Sequence, residues 1–254
     1  GQNIAIGTAA LYSNTTASNN TAVGSNALLS NTTGANNAAF GGEALYANTT
    51  ANHNIAIGKK AMFDNTTGAN NVSIGSSSLE NNTTAASNTA VGFCSMKFNT
   101  TGASNTAIGT SALADNTTAN NNTAVGNLSA TGNTTGTNNS ALGFQSFVTN
   151  TTGSGNVAIG VNSLYANTTA SNNTAIGLSA LEANTTGIDN TAVGALSLDA
   201  NTTGSQNIAI GKCSLTANTT ASNNVAAGHR SMETNTTGSA NVAIGEQTLR
   251  YNTT

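Results

Sequence analysis

Proline is missing altogether from this sequence, so every residue can donate a backbone N–H. That suits an architecture in which each strand is paired on both sides, a place where proline is excluded. Charged residues make up only 6% and aromatics 4%, against about 25% charged in an ordinary globular chain. The net charge of -3 is spread thinly. Neither a nucleic acid nor an anionic membrane surface is implied as partner. Two cysteines exclude a disulfide framework. No long apolar run is present to span a membrane as a helix, and no secretory signal pattern is seen.

What is present is a repeat. The segment Asn3-Ile4-Ala5-Ile6-Gly7 returns every 17 residues through Asn241, and Asn-Thr-Thr returns from Asn14 through Asn252. There are 15 copies, without insertion or deletion. A fixed short period predicts a quasi-one-dimensional stack in place of a globular domain. The strict register argues against a disordered polar tract, because disorder exerts no pressure to keep apolar positions in phase. Residues 1–254 are expected to form one continuous array. It begins and ends in mid-repeat, which predicts a window of a longer chain.

The unit is conveniently read in columns, each named by its residue in the first copy. Column 6 is apolar in every copy, from Ile6 and Phe40 to Leu142 and Ala227, and column 11 is nearly all Leu or Met. These two columns are the expected core. Strand alternation puts residues 4 and 6 on one face and residue 5 on the other. Two short strands per coil follow, at about residues 3–6 and 10–13. Gly7 opens one corner, where a glycine in all 15 copies predicts positive φ or an approach too close for a Cβ. Column 17 alternates between Gly and Ala, so no left-handed conformation is obligatory there.

Asn-Thr-Thr-Gly and Asn-Thr-Ala are poor helix formers. The fold class is therefore all-β, a parallel β-solenoid or β-roll. At about 4.8 Å per coil the array would run to roughly 70 Å. Column 5 is Ala in 14 copies and Ser73 in the other, and column 10 is only Ala, Ser or Thr. Two readings are open. The small columns are faces pressed on neighbouring chains, as in a three-fold assembly, or a thin roll simply has no room inside.

The Asn-x-Ala-Ile-Gly core of Asn3–Gly7, Asn54–Gly58 and Asn207–Gly211 resembles the head repeat of YadA-type trimeric autotransporter adhesins. That resemblance implies a left-handed β-roll that trimerises at a cell surface. It covers about five residues of each unit. The family unit is typically shorter, at 14 residues and rich in Ser-x-Ala-x-Gly. The longer pattern Asn173–Gly187 is also similar to arrays in bacterial surface and tail-fibre-like proteins, and the dense sequons are similar in style to those of glycan-coated extracellular fibrils.

The motif with chemistry is Asn-Thr-Thr, which fits the N-x-[ST] glycosylation acceptor. Its asparagines are Asn14, Asn31, Asn48, Asn65, Asn82, Asn99, Asn116, Asn133, Asn150, Asn167, Asn184, Asn201, Asn218, Asn235 and Asn252. N-linked glycans are expected on this column, with O-glycans on threonine as a further possibility. The competing reading is a stacked amide ladder, already the better account of column 3, where Ala5 denies Asn3 a sequon. A pure ladder would not require Thr16, whereas a sequon would. Out-of-register acceptors occur at Asn19, Asn71, Asn121, Asn127, Asn138 and Asn172 and are expected to stay bare.

No residue set suggests an enzyme, a cofactor or a metal site. Cys94 and Cys213 share column 9, seven coils or roughly 34 Å apart, beyond the about 7 Å that a disulfide spans. His53 and His229 lie in different columns. The charges at Lys59, Lys60, Arg230 and in column 12 (Glu80, Lys97, Glu182, Asp199, Glu233, Arg250) read as a solvated face separated by neutral coils. The expected function is an extracellular structural fibre that stacks on further copies of itself. The alternatives are the head or shaft of a trimeric adhesin or tail fibre, and an ice-binding solenoid with bare threonine ladders.

Overall fold

The structure, a computed structural model, describes residues 1–253. It divides into two compact units, Gly1–Asn127 and Leu128–Thr254. The first unit holds eight strands, from β1 (Ile4–Ile6) to β8 (Thr123–Val125), and the second holds seven, from β9 (Ser140–Leu142) to β15 (Val242–Ile244). Within each unit every strand pairs with the next in sequence, parallel and in register, so that Ala39 opposes Ala56 and Ala56 opposes Ser73. The ladder runs both ways from each coil. The N–H of Ile55 donates to the Asn71 carbonyl at 2.9 Å, and that of Gly58 to the Phe40 carbonyl at 2.7 Å. This is the all-β parallel solenoid expected from the period.

Each coil carries one strand, not two. The segment expected as a second strand, residues 10–13, is a run of turns. Columns 9 and 11 hold the left-handed conformation with non-glycine residues, as at Lys60 (φ 58°) and Met62 (φ 51°). Two left-handed residues at alternate positions prevent an extended chain. They do so at roughly 1–2 kcal/mol each, and coil-to-coil hydrogen bonds offset that cost. Lys60 N–H donates back to Gly42, and Met62 N–H donates forward to Ser78, both at 3.0 Å. Because column 9 is not core, relieving its strain is expected to stabilise. Ser77→Gly (native φ 55°) should raise the denaturation midpoint by the equivalent of about 0.5–1 kcal/mol, measured by chemical unfolding.

The core also differs from expectation in one column. Column 11 is buried, with Leu45, Met62, Leu79, Met96 and Leu164 fully enclosed. Column 6 is not: Ile57, Ile108 and Ile210 face outward. Column 5 points inward instead, and its alanines are sealed from solvent throughout the interior coils. The reason is thickness. The opposite wall is column 10, close enough for Ser78 Oγ to donate to the Ala90 carbonyl at 3.1 Å and Ser95 Oγ to that of Ala107 at 3.0 Å. An isoleucine could not occupy that gap, so alanine is small here for want of room.

Two glycine columns follow from close backbone approach. Column 7 has φ between 124° and 140° in every copy. A Cβ on Gly58 would lie 2.5 Å from the carbonyl oxygen of Gly75. In column 17 the glycines show no positive φ, but a Cβ on Gly34 would sit 2.5 Å from Asn31 Oδ1 and closer still to the Ala51 carbonyl. The six alanines of this column, from Ala17 to Ala221, are never on adjacent coils. An alanine is tolerated where its neighbours are glycine and can give way.

Candidate functional site: the Asn-Thr-Thr corner

The corner begins where the left-handed turn of column 11 hands the chain to Asn14 and ends at the buried residue of column 17. In interior coils the asparagines of column 14, such as Asn65 and Asn99, use both hydrogens of the side-chain amide. Asn65 Nδ2 donates to Asn48 Oδ1 on the preceding coil at 3.1 Å and to its own coil's Gly68 carbonyl at 3.0 Å. Asn54 Nδ2, from column 3, donates to the same Gly68 carbonyl at 2.9 Å. Column 3 forms its own ladder, as Asn54 N–H donates to Asn37 Oδ1 at 2.9 Å. Two amide ladders therefore converge on the carbonyl of residue 17 in each coil.

This arrangement puts the expected glycan-bearing asparagines inside the stack. Asn31, Asn48, Asn65, Asn82, Asn99, Asn116, Asn133, Asn150, Asn167, Asn184, Asn201, Asn218 and Asn235 are all fully buried. Asn14 and Asn252 are half-buried. A sugar on Nδ2 replaces one of the two hydrogens that hold the ladder and needs space the folded coil does not have. The sequon and the buried ladder share one sequence grammar, and only the side chain's direction separates them. Of the out-of-register acceptors, Asn71 belongs to the buried column 3 ladder. Asn19, Asn121, Asn127, Asn138 and Asn172 are exposed.

The two threonines face different surroundings. The column 15 hydroxyl is bonded: Thr66 Oγ1 donates to the Thr83 carbonyl at 3.0 Å. That carbonyl also accepts from the N–H groups of Thr66 and Thr67, at 2.9 and 3.2 Å. The column 16 side chain is exposed in every described copy, from Thr16 to Thr237. Column 19 follows, exposed and left-handed, as at Asn36 (φ 59°) and Asn70 (φ 60°). Its asparagines, with His53, Asp189 and Gly155, are the residues that tolerate that conformation. That composition was a readable turn signal. The lysine, leucines and cysteines of columns 9 and 11 gave none.

Side chains also stack along the variable columns, and the charges pair from coil to coil. Glu80 lies 3.6 Å from Lys97 and 4.0 Å from Lys60, and Arg250 Nε donates to Glu233 Oε2 at 2.6 Å. Glu80 and Lys97 occupy consecutive coils, as do Glu182 and Asp199, so neutral coils do not separate them. Tyr46 and Phe63 stack with ring centroids 4.9 Å apart. Cys94 and Cys213 are free thiols, one in each unit. No cavity and no cluster able to hold a metal ion occurs among the described residues.

Asp199 departs from this pattern of pairing. Burial raises its carboxyl above the ordinary value of 3.8; hydrogen bonds from its own N–H and that of Ala200 pull it down, and the charge of Glu182 adds to the rise. Its Oδ1 is buried without a partner. A raised carboxylate binds protons more readily folded than unfolded, so its stabilisation is present at low pH and is lost as pH rises from about 3.8 through the folded value. Asp199→Asn is therefore expected to be more stable than the parent at neutral pH. The difference should shrink on acidification, as thermal midpoints across a pH series would report.

Comparison with family models, with curated proteins and with solved structures returned no match.

Proposed function

We propose that this solenoid is a structural fibre component of a cell surface, and that it associates laterally with copies of itself through the outer face of its sheets. One observation carries the reading. The outward column 6 is apolar in every copy, where solvent-facing positions ordinarily turn polar. In interior coils the column 6 isoleucines keep between 37% (Ile74) and 46% (Ile210) of their surface exposed. With the valines and other apolar residues of column 6 they follow one another coil after coil, since the strands are in register. In the second unit the stripe widens: Phe144, Val161 and Leu178 of column 8 are exposed beside Leu142, Ile159 and Ile176. A contiguous apolar face of this kind marks an interaction surface on a soluble chain. A second copy is the matching partner, because the same spacing repeats on both sides of the contact.

The likeness of Asn207–Gly211 to the YadA-type head repeat supports the surface location, and it favours a closed trimer as the second reading, an adhesin head or shaft. The ice-binding reading loses ground, because column 15 hydroxyls are tied to carbonyls and leave a single rank of free threonines. Sedimentation velocity over a concentration series tests the proposal. The parent chain is expected to associate, and an Ile159→Lys, Ile176→Lys variant should sediment as a monomer with an unchanged circular dichroism spectrum. A closed trimer would favour the adhesin reading over an open-ended fibre. A parent that stays monomeric at high concentration would overturn both.

A further inference from the structure

Five columns are identical in all 15 copies: Asn3, Gly7, Asn14, Thr15 and Thr16. The fold accounts for four. Columns 3 and 14 are amide ladders, column 7 needs glycine for φ and for space, and column 15 donates its hydroxyl to the next coil. Column 16 has no such account. Its side chains are exposed from Thr16 to Thr237. Among the described residues its hydroxyl bonds the protein only at Thr237, which donates to the Thr253 carbonyl at 3.4 Å. Other exposed columns of the same chain drift freely; column 19 holds Asn, His, Ser, Gly, Asp, Gln and Ala. Packing alone would admit valine, as column 6 does, yet valine never occurs in column 16. Nor can a sequon hold the hydroxyl in place while its asparagine is buried.

We propose that column 16 is an O-linked modification site, carrying a neutral sugar on the threonine hydroxyl. The neutral class follows from the spacing. Neighbouring acceptors are about 4.8 Å apart, so phosphates on successive coils would repel at every step. In the transfer the Oγ1 of Thr33 or Thr67 bonds the anomeric carbon of an activated glycosyl phosphate donor. The donor's anomeric carbon–phosphate oxygen bond breaks, the phosphate leaves with the bonding pair, and the hydroxyl proton passes to a base of the glycosyltransferase. Most residues of column 18 are small, as at Ala35, Ala69 and Ser171, and leave the corner open to such an enzyme at those coils. This inference stands whether or not the chain associates laterally.

The experiment is intact mass and electron-transfer fragmentation of the full chain isolated from its native source. The expected mass exceeds that of the polypeptide itself, to which these 254 residues contribute 25.0 kDa, by whole sugar residues, mapped to Thr33, Thr50, Thr67 and their successors and released by alkaline β-elimination. An unmodified mass, or sugar on the column 14 asparagines, would overturn the proposal. A second measurement keeps fold and modification apart. Thr67→Val should leave the melting midpoint unchanged, since its hydroxyl holds nothing, while Thr66→Val should lower it. Equal losses from both would show that column 16 is held by the fold, and would also overturn the proposal.

Discussion

Asn99→Asp is expected to destabilise the solenoid by about 3–5 kcal/mol, the cost of breaking a fully buried polar network with an unpaired charge. Asn99 is completely enclosed. Its Nδ2 donates to Asn82 Oδ1 at 2.8 Å and to the Gly102 carbonyl at 2.9 Å, while its Oδ1 accepts from Asn116 Nδ2 at 2.8 Å. A carboxylate keeps only the last of these. It sets a second acceptor oxygen against two acceptors and buries a charge beside them. The geometry also fixes the pH dependence. The folded state disfavours the charged form, so the carboxyl's folded value is raised. The variant's deficit is then largest at neutral pH and shrinks as the carboxyl protonates and its O–H donates to one orphaned oxygen. Thermal unfolding followed by circular dichroism would show both. An exposed counterpart, Asn36→Asp in column 19, should change the midpoint little.

Gly58→Ala is the second large effect. At φ 133° the backbone lies outside the regions open to an L side chain, and the new Cβ would press on the carbonyl of Gly75. Neither the torsion nor a backbone atom can yield without moving the ladder that joins the coils. A loss of about 3 kcal/mol or more is expected. Gly42 provides the control. It lies in the same turn one coil earlier, one position beyond column 7, and the nearest atom to its added Cβ is 4.0 Å away. Gly42→Ala should be close to neutral, as denaturant midpoints of the two variants would establish.

The same residues show what a sequence of this kind discloses. Gly58 belongs to a column whose constraint was plain from its invariance, and the structure adds only that both causes, torsion and proximity, act together. The ladder of Asn54 was equally readable, because no acceptor grammar competed for it. Column 14 was not, since a buried ladder and a sequon write the same three letters. Ile57 shows a different limit. Alternation tells which side chains share a face, but not which face is inside. The larger side chain attracts the assignment to the core, although the unvarying smallness of Ala56 and its column was the better guide to a narrow interior. The second strand was misplaced because Lys60 and Met62 adopt left-handed torsions for which their side chains carry no preference. Backbone bonds to the coils on either side impose them, and those exist only once the stack has formed.

In interior coils the asparagine of each Asn-Thr-Thr points into the stack, and the last threonine, at Thr33, Thr67 and their successors, points out. Side-chain amide hydrogen exchange, read by NMR on asparagine-labelled chain, tests this most directly, with column 19 as an internal exposed standard. Expected are two classes: slow exchange for columns 3 and 14, and fast exchange for Asn36, Asn70 and Asn223. Fast exchange of the column 14 amides would contradict the account, returning that column to the surface and to sugar.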